Sequence, residues 1–196
     1  MAVQSVDLRC PGCGEPWTLD MTECPSCHRP VVVTTFNSVY NMIGPEVSKY
    51  AKTYKKALDA GADDPKINSA VGFCYLKLGL YDKALSAFEA AIEDDFDESE
   101  TYFYAAVCLL GGKKAFLASR ATIDRVQEYI NAALMLERKG IYLVFLAYIK
   151  YDFFERKYLN TTPDYRACLS EAASVGVSSA DITMLFDTLR VPNPFC

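Results

Sequence analysis

Two pairs of cysteines, Cys10-Pro11-Gly12-Cys13 and Cys24-Pro25-Ser26-Cys27, stand ten residues apart near the start of the chain. No other feature restricts its folding as much. A Cys-x-x-Cys turn aims two thiolates at one ion, and a second turn carried over by a short hairpin completes four sulfur ligands in a closed tetrahedron. The expected ligands are therefore Cys10, Cys13, Cys24 and Cys27, and the expected ion is a structural Zn2+. A segment this short cannot bury enough apolar surface to offset its chain entropy, whereas a structural zinc contributes on the order of 10–16 kcal/mol of apparent binding free energy. Metal and fold are expected to form together.

Gly14 suits the tight turn after the first pair, and Val31-Val32-Val33-Thr34-Thr35-Phe36 reads as the closing β-strand of a zinc ribbon. Trp17 is expected to be the apolar plug of this small domain. Other chemistries compete less well. Iron in a rubredoxin-like site suits the same four thiolates. Redox-active Cys-x-x-Cys motifs belong in a βαβ pattern, which is missing here. His28, the single histidine, adjoins Cys27 and is an alternative ligand, although a surface position fits it better.

The chain has 196 residues, 51% of them hydrophobic, enough for a compact core beyond the ribbon. Cys74, Cys108, Cys168 and Cys196 are scattered, and three lie in apolar helical stretches where a reduced thiol packs as a small hydrophobe. A reducing cytoplasmic location is expected. The first nine residues show neither the basic nor the apolar region of a signal peptide, and Ile141 to Ile149 is about half a bilayer span, so no membrane association is expected. The formal net charge is −5, and in residues 1–45 four acidic side chains face only Arg9 and Arg29. Nucleic acid is a poor expected partner for such a surface.

From Gly44 onward the pattern becomes helical, with punctuation at Gly61, Asp64-Pro65, Gly79, Gly111-Gly112, Gly140, Thr162-Pro163 and Gly176. Tyr54, Ala57 and Leu58 recur 34 residues later as Phe88, Ala91 and Ile92. Between Pro65 and Glu98, Val71, Gly72, Tyr75, Ala84, Phe88 and Ala91 fall at the positions of the W-x2-L-G-x2-Y, A-x3-F and A pattern. Asn68 replaces its Trp and Phe96 its Pro. The stretch resembles the tetratricopeptide (TPR) family. Gly72 and Ala84 would let paired helices approach, while Tyr75 and Phe88 fill the space between repeats. A second unit begins at Tyr102, Ala105 and Ala106. Its second helix, with Ile130, Ala133 and Leu134, lies 42 residues beyond the first unit's equivalents, which places eight inserted residues near Gly111 to Ala121. A third unit runs from Gly140, with Leu169, Ala172 and Ala173, and Ile182, Leu185, Phe186 and Leu189 give a capping helix one apolar face.

The expected fold is therefore mainly α, a TPR-like antiparallel helix-pair solenoid of about seven helices preceded by a small β zinc ribbon. The expected divisions are a ribbon over 1–36, a linker over 37–44 and the repeat domain over 45–196. A non-solenoid bundle with one TPR-like hairpin is the alternative. The TPR resemblance implies a concave groove for a protein or peptide partner, lined by Ser69, Phe73, Leu76 and Lys77 from one helix and Phe103, Val107 and Leu110 from the next. The ribbon or the Pro192-Asn193-Pro194-Phe195 tail could cover Phe73 and Phe103 instead. A homodimer is also open.

Enzyme signatures are thin. The one histidine beside a metal ligand leaves nucleophile arrangements without a base. Gly112-Lys113 lacks the earlier glycine and the Ser/Thr of a phosphate loop, and Glu93 to Glu98 lacks an EF-hand glycine. The expected function is a non-enzymatic protein-interaction adaptor. The alternatives are a zinc-ribbon factor associated with transcription or RNA machinery, and a thiol sensor that loses its metal on oxidation.

Overall fold

A computed structural model describes residues 8–18, 21–61, 64–93 and 97–195. Asp94, Asp95 and Phe96 of the acidic stretch, and Cys196, lie outside the described residues. The chain is mainly α-helical and divides into two compact units, Met1–Phe96 and Asp97–Cys196.

Unit one starts with two short antiparallel strands, β1 (Leu8–Arg9) and β2 (Pro16–Trp17), which pair Leu8 with Trp17 and Arg9 with Pro16. Four helices follow: α1 (Phe36–Tyr40), α2 (Gly44–Asp59), α3 (Pro65–Lys77) and α4 (Tyr81–Glu93). The closing strand expected over residues 31–36 does not form. Its hydrogen-bonding groups are spent elsewhere: the Val31 N–H on the Thr22 carbonyl (3.1 Å), and the Val31 C=O and Val33 N–H on the Tyr54 hydroxyl of α2 (3.0 Å each). Phe36, the last residue of the expected ribbon, instead opens a helix that runs to Tyr40, into the segment read as a linker.

The α3/α4 pair is close-packed at Gly72, where an added Cβ would stand 2.5 Å from the Phe88 ring. Phe88 meets Phe73 edge-on at 5.3 Å, and Ala84 and Ala91 are buried beside it. The missing side chain at Gly72 is what admits a phenyl ring between the helices. The turn is made by Leu78, Gly79 in the left-handed region (φ +73°) and Leu80, with α4 beginning at Tyr81. Asp64 caps α3 by accepting from the Lys66 N–H, and Pro65 supplies a preset φ at the first helical position.

Unit two holds α5 (Ser99–Leu109), α6 (Arg120–Leu136), α7 (Gly140–Ile149), α8 (Tyr165–Val175) and α9 (Ser179–Leu189). α5 packs on α6 and α7 on α8, so the described residues contain stacked helix pairs, with eight α-helices from α2 to α9 where about seven were expected, and α1 ahead of them. The insertion between α5 and α6 folds as a loop with a 3-10 turn at Ala115–Leu117. α7 runs on through a π turn, Lys150–Phe154, and a 3-10 turn, Glu155–Lys157, to Tyr158 at φ +56°. At Gly140 an added Cβ would lie 2.3 Å from the Gly176 carbonyl oxygen, so α7 starts against the end of α8 without a side chain between.

Aromatic rings fill this core. Phe103 stacks on Tyr142 at 4.5 Å and meets Phe145 at 5.6 Å, and Tyr148 meets Phe186 of α9 edge-on at 5.6 Å. Ser99, buried at the start of α5, shares a hydrogen bond with the Tyr142 hydroxyl and donates to Glu137, each at 2.8 Å.

Candidate metal centre

The sulfurs of Cys10, Cys13, Cys24 and Cys27 all lie within 4.8 Å of one another. Cys10 and Cys27 approach to 3.7 Å and Cys13 and Cys24 to 3.5 Å, far beyond a disulfide bond. Four sulfurs each ~2.3 Å from a shared ion would stand ~3.8 Å apart, so the cluster has the size of a tetrahedral metal site. His28 is outside it, exposed and in the left-handed region at φ +55°.

The cluster is built by one local design used twice, fourteen residues apart. Cys10-Pro-Gly-Cys-Gly-Glu-Pro16 and Cys24-Pro-Ser-Cys-His-Arg-Pro30 share the spacing C-P-x-C-x-x-P. In each copy the residue after the second cysteine has positive φ, Gly14 at +83° and His28 at +55°. In each, that residue's N–H reaches the first cysteine's carbonyl (Gly14 to Cys10 and His28 to Cys24, both 2.9 Å). The first cysteine's N–H closes the turn on the residue before the second proline, Cys10 to Glu15 at 2.8 Å and Cys24 to Arg29 at 2.9 Å. Bridges follow at Arg9 with Pro16 and at Glu23 with Pro30. The offset of fourteen was visible in the sequence, in the proline after each turn.

Backbone N–H groups aim at the sulfurs, as a site holding anionic thiolates requires. The Gly12 N–H lies 3.3 Å from Cys10 Sγ. Burial raises the Cys24 thiol, but the N–H groups of Cys27 and Ser26, with the neighbouring sulfurs, outweigh it and bring the group to about 7. The Glu15 N–H lowers Cys13, yet hydrogen bonding with Cys24 and desolvation dominate and push it up to about 12. Four adjacent sulfurs cannot all ionise unless a cation joins them, which is the demand a metal ion meets.

The four-cysteine segment is anchored to α2 by two tyrosines one helical turn apart. Tyr50 donates its hydroxyl to the Pro30 carbonyl (3.1 Å). Tyr54 donates to the Val31 carbonyl and accepts from the Val33 N–H. Burial holds both phenols above their ordinary range, Tyr50 at about 12, so they stay protonated and able to donate. Val31 and Val33 are buried here, and Arg29 pairs with Glu46 at 3.0 Å. Trp17 is 3% exposed, a plug as expected. Sequence reasoning did not single out Tyr50 and Tyr54 for this role, although their four-residue spacing places them on one helix face.

The residues expected to line a groove sit differently. Ser69, Phe73, Leu76, Phe103, Val107 and Leu110 are buried, and Lys77 is half-buried over the Tyr40 ring with its ammonium donating to the Tyr40 carbonyl. Phe73 is covered by Phe36 (6.4 Å) and Phe88, and Phe103 by Tyr142 and Phe145. Neither covering group comes from the tail, whose Phe195 stacks instead on Tyr165 at 6.2 Å. Cys74, Cys108 and Cys168 are buried and in no disulfide, and burial raises Cys74 to about 12, well away from reactivity at neutral pH. Among the described residues no helix is long and apolar enough to cross a membrane.

Compared with known proteins, the chain matches no family model and no curated protein.

Proposed function

We propose that this chain is a non-enzymatic protein-interaction adaptor, a TPR-like helical-repeat scaffold whose first unit is held by a zinc ribbon. The observation that carries the reading is the α3/α4 pair. Its 34-residue recurrence, the left-handed Gly79 turn and the seating of Phe88 against Gly72 follow the packing logic of a TPR hairpin, and such repeats serve to present surfaces to proteins. Zinc is favoured for the centre because four thiolates at this spacing form a closed site with no open position for chemistry. The buried ionisable groups support a non-catalytic role. Asp152 is spent on the Phe116 N–H, the Tyr148 hydroxyl and Arg156, and Lys150 on Thr161.

The test is affinity capture with the zinc-loaded full chain from extract, in parallel with nuclease and with chelator. A stoichiometric protein retained despite nuclease is the expected result. Recovery that disappears with nuclease would overturn the adaptor reading in favour of nucleic acid. Elemental analysis of the same preparation should give about one zinc per chain, reduced to near zero by Cys24→Ser.

A further inference from the structure

In unit two, the α5–α6 insertion and the end of α7 meet on one face. The insertion carries Lys113, Lys114, Phe116 and Leu117, and the end of α7 carries Arg156, Lys157 and Tyr158. Phe116 joins them: its ring lies under Arg156 at 4.6 Å and Lys157 at 4.9 Å, and its N–H is held by the buried Asp152 at 2.7 Å. The inserted loop is thus fixed in place, and what it fixes is exposed apolar surface. Leu117 is 70% and Tyr158 96% exposed.

The charge of this face runs against the rest of the molecule. Residues 111–120 hold Lys113, Lys114 and Arg120 and no carboxylate, in a chain of net charge −5. Arg120 is paired with Asp124, whereas Lys113 and Lys114 are exposed with no ion pair among the described residues. Beside them opens a recess of about 190 Å³, lined by Lys114, Tyr151, Asp152, Arg156, Pro192 and Pro194. Asp152 is already engaged by its three donors and its charge is balanced by Arg156, so Lys114 is left to set the cationic character of the opening.

We propose that this face binds an acidic peptide segment of another protein, one with an apolar or aromatic residue among its carboxylates. The inference rests on the adaptor reading and names its partner by chemistry. Acidic side chains meet Lys113 and Lys114, one carboxylate enters the recess beside Lys114, and the apolar residue covers Leu117 and Tyr158. Glu155 and Asp124 stand among the cations, which disfavours a uniformly anionic bilayer or nucleic-acid backbone and favours a ligand with alternating charged and apolar positions.

The zinc-loaded full chain is titrated with a short dye-labelled peptide of glutamates around a central Leu-Tyr pair, read by fluorescence anisotropy. Saturable binding that weakens with salt is expected, with a loss of about tenfold in K113E/K114E and about fivefold in L117S/Y158S, at unchanged helical circular dichroism. Equal affinity of K113E/K114E, or of a glutamine-substituted peptide, would overturn the proposal. So would capture of the chain by phosphatidylserine vesicles with the same dependence on these residues, or self-association through this face in sedimentation equilibrium. Retention of a protein partner by both the wild-type chain and K113E/K114E would remove this surface and leave the adaptor reading standing. Retention of no protein by either would remove the adaptor reading itself.

Discussion

Single side chains in this protein carry roles that their neighbours cannot take over. Tyr54 satisfies the buried Val31 carbonyl and the buried Val33 N–H with a single hydroxyl. Tyr54→Phe leaves both unpaired and should destabilise unit one by about 2–3 kcal/mol in urea unfolding, with faster zinc loss to a chromophoric chelator. Gly72→Ala gains helix propensity of about 1 kcal/mol, but the new methyl meets a fully buried phenyl ring, so a net loss of about 2 kcal/mol is expected. Phe88→Leu in the same chain should recover part of that loss. In unit two, Glu137 accepts from Lys139 (2.9 Å) and from Ser99, in that order of effect, and is held below its ordinary value of 4.5. A lowered carboxylate stabilises the fold above its unfolded pKa and loses that contribution as pH falls through the folded value. The stability advantage of the wild type over Glu137→Gln should therefore be full at neutral pH and fade below about pH 4.5, as followed by thermal melts across that range.

At the level of elements, Asp152 ties the inserted loop to the end of α7. Asp152→Ala should cost about 3 kcal/mol, because it strands the Phe116 N–H and the Tyr148 hydroxyl, and should speed tryptic cleavage after Lys113 and Lys114 in the freed loop. The position of that loop was legible in the sequence, since the break in the 34-residue spacing marked eight extra residues near Gly111 to Ala121, where the 3-10 turn lies. The helix pairs were legible for the same reason: Gly72, Ala84 and Phe88 record a packing requirement at fixed intervals. The residues 31–36 were misread because β-branched composition signals an extended chain without saying what satisfies its hydrogen bonds. Here the Tyr54 hydroxyl, from a helix, takes both the Val31 carbonyl and the Val33 N–H. The burial of Phe73 and Phe103 was equally hidden, because periodicity assigns a residue to a face but cannot tell which later element packs on it.

At the scale of the whole molecule, metal dependence should be unequal between the two units. The four cysteines lie in unit one, while unit two is held by its aromatic core and its caps. Chelation should abolish hydrogen-exchange protection at Cys10, Gly14, Cys24 and His28 and leave the amides of α5 to α8 protected. Uniform loss across both units would refute this division. The chain's single tryptophan, Trp17, stands in β2 between the two cysteine pairs, buried and with its indole N–H lacking a partner among the described residues. Because no second indole contributes, emission excited at the red edge of the absorption band originates from the four-cysteine segment alone. Tryptophan emission should therefore gauge metal loading from within: a blue-shifted spectrum is expected when a metal holds the two cysteine turns together, and a water-like spectrum once a chelator opens them.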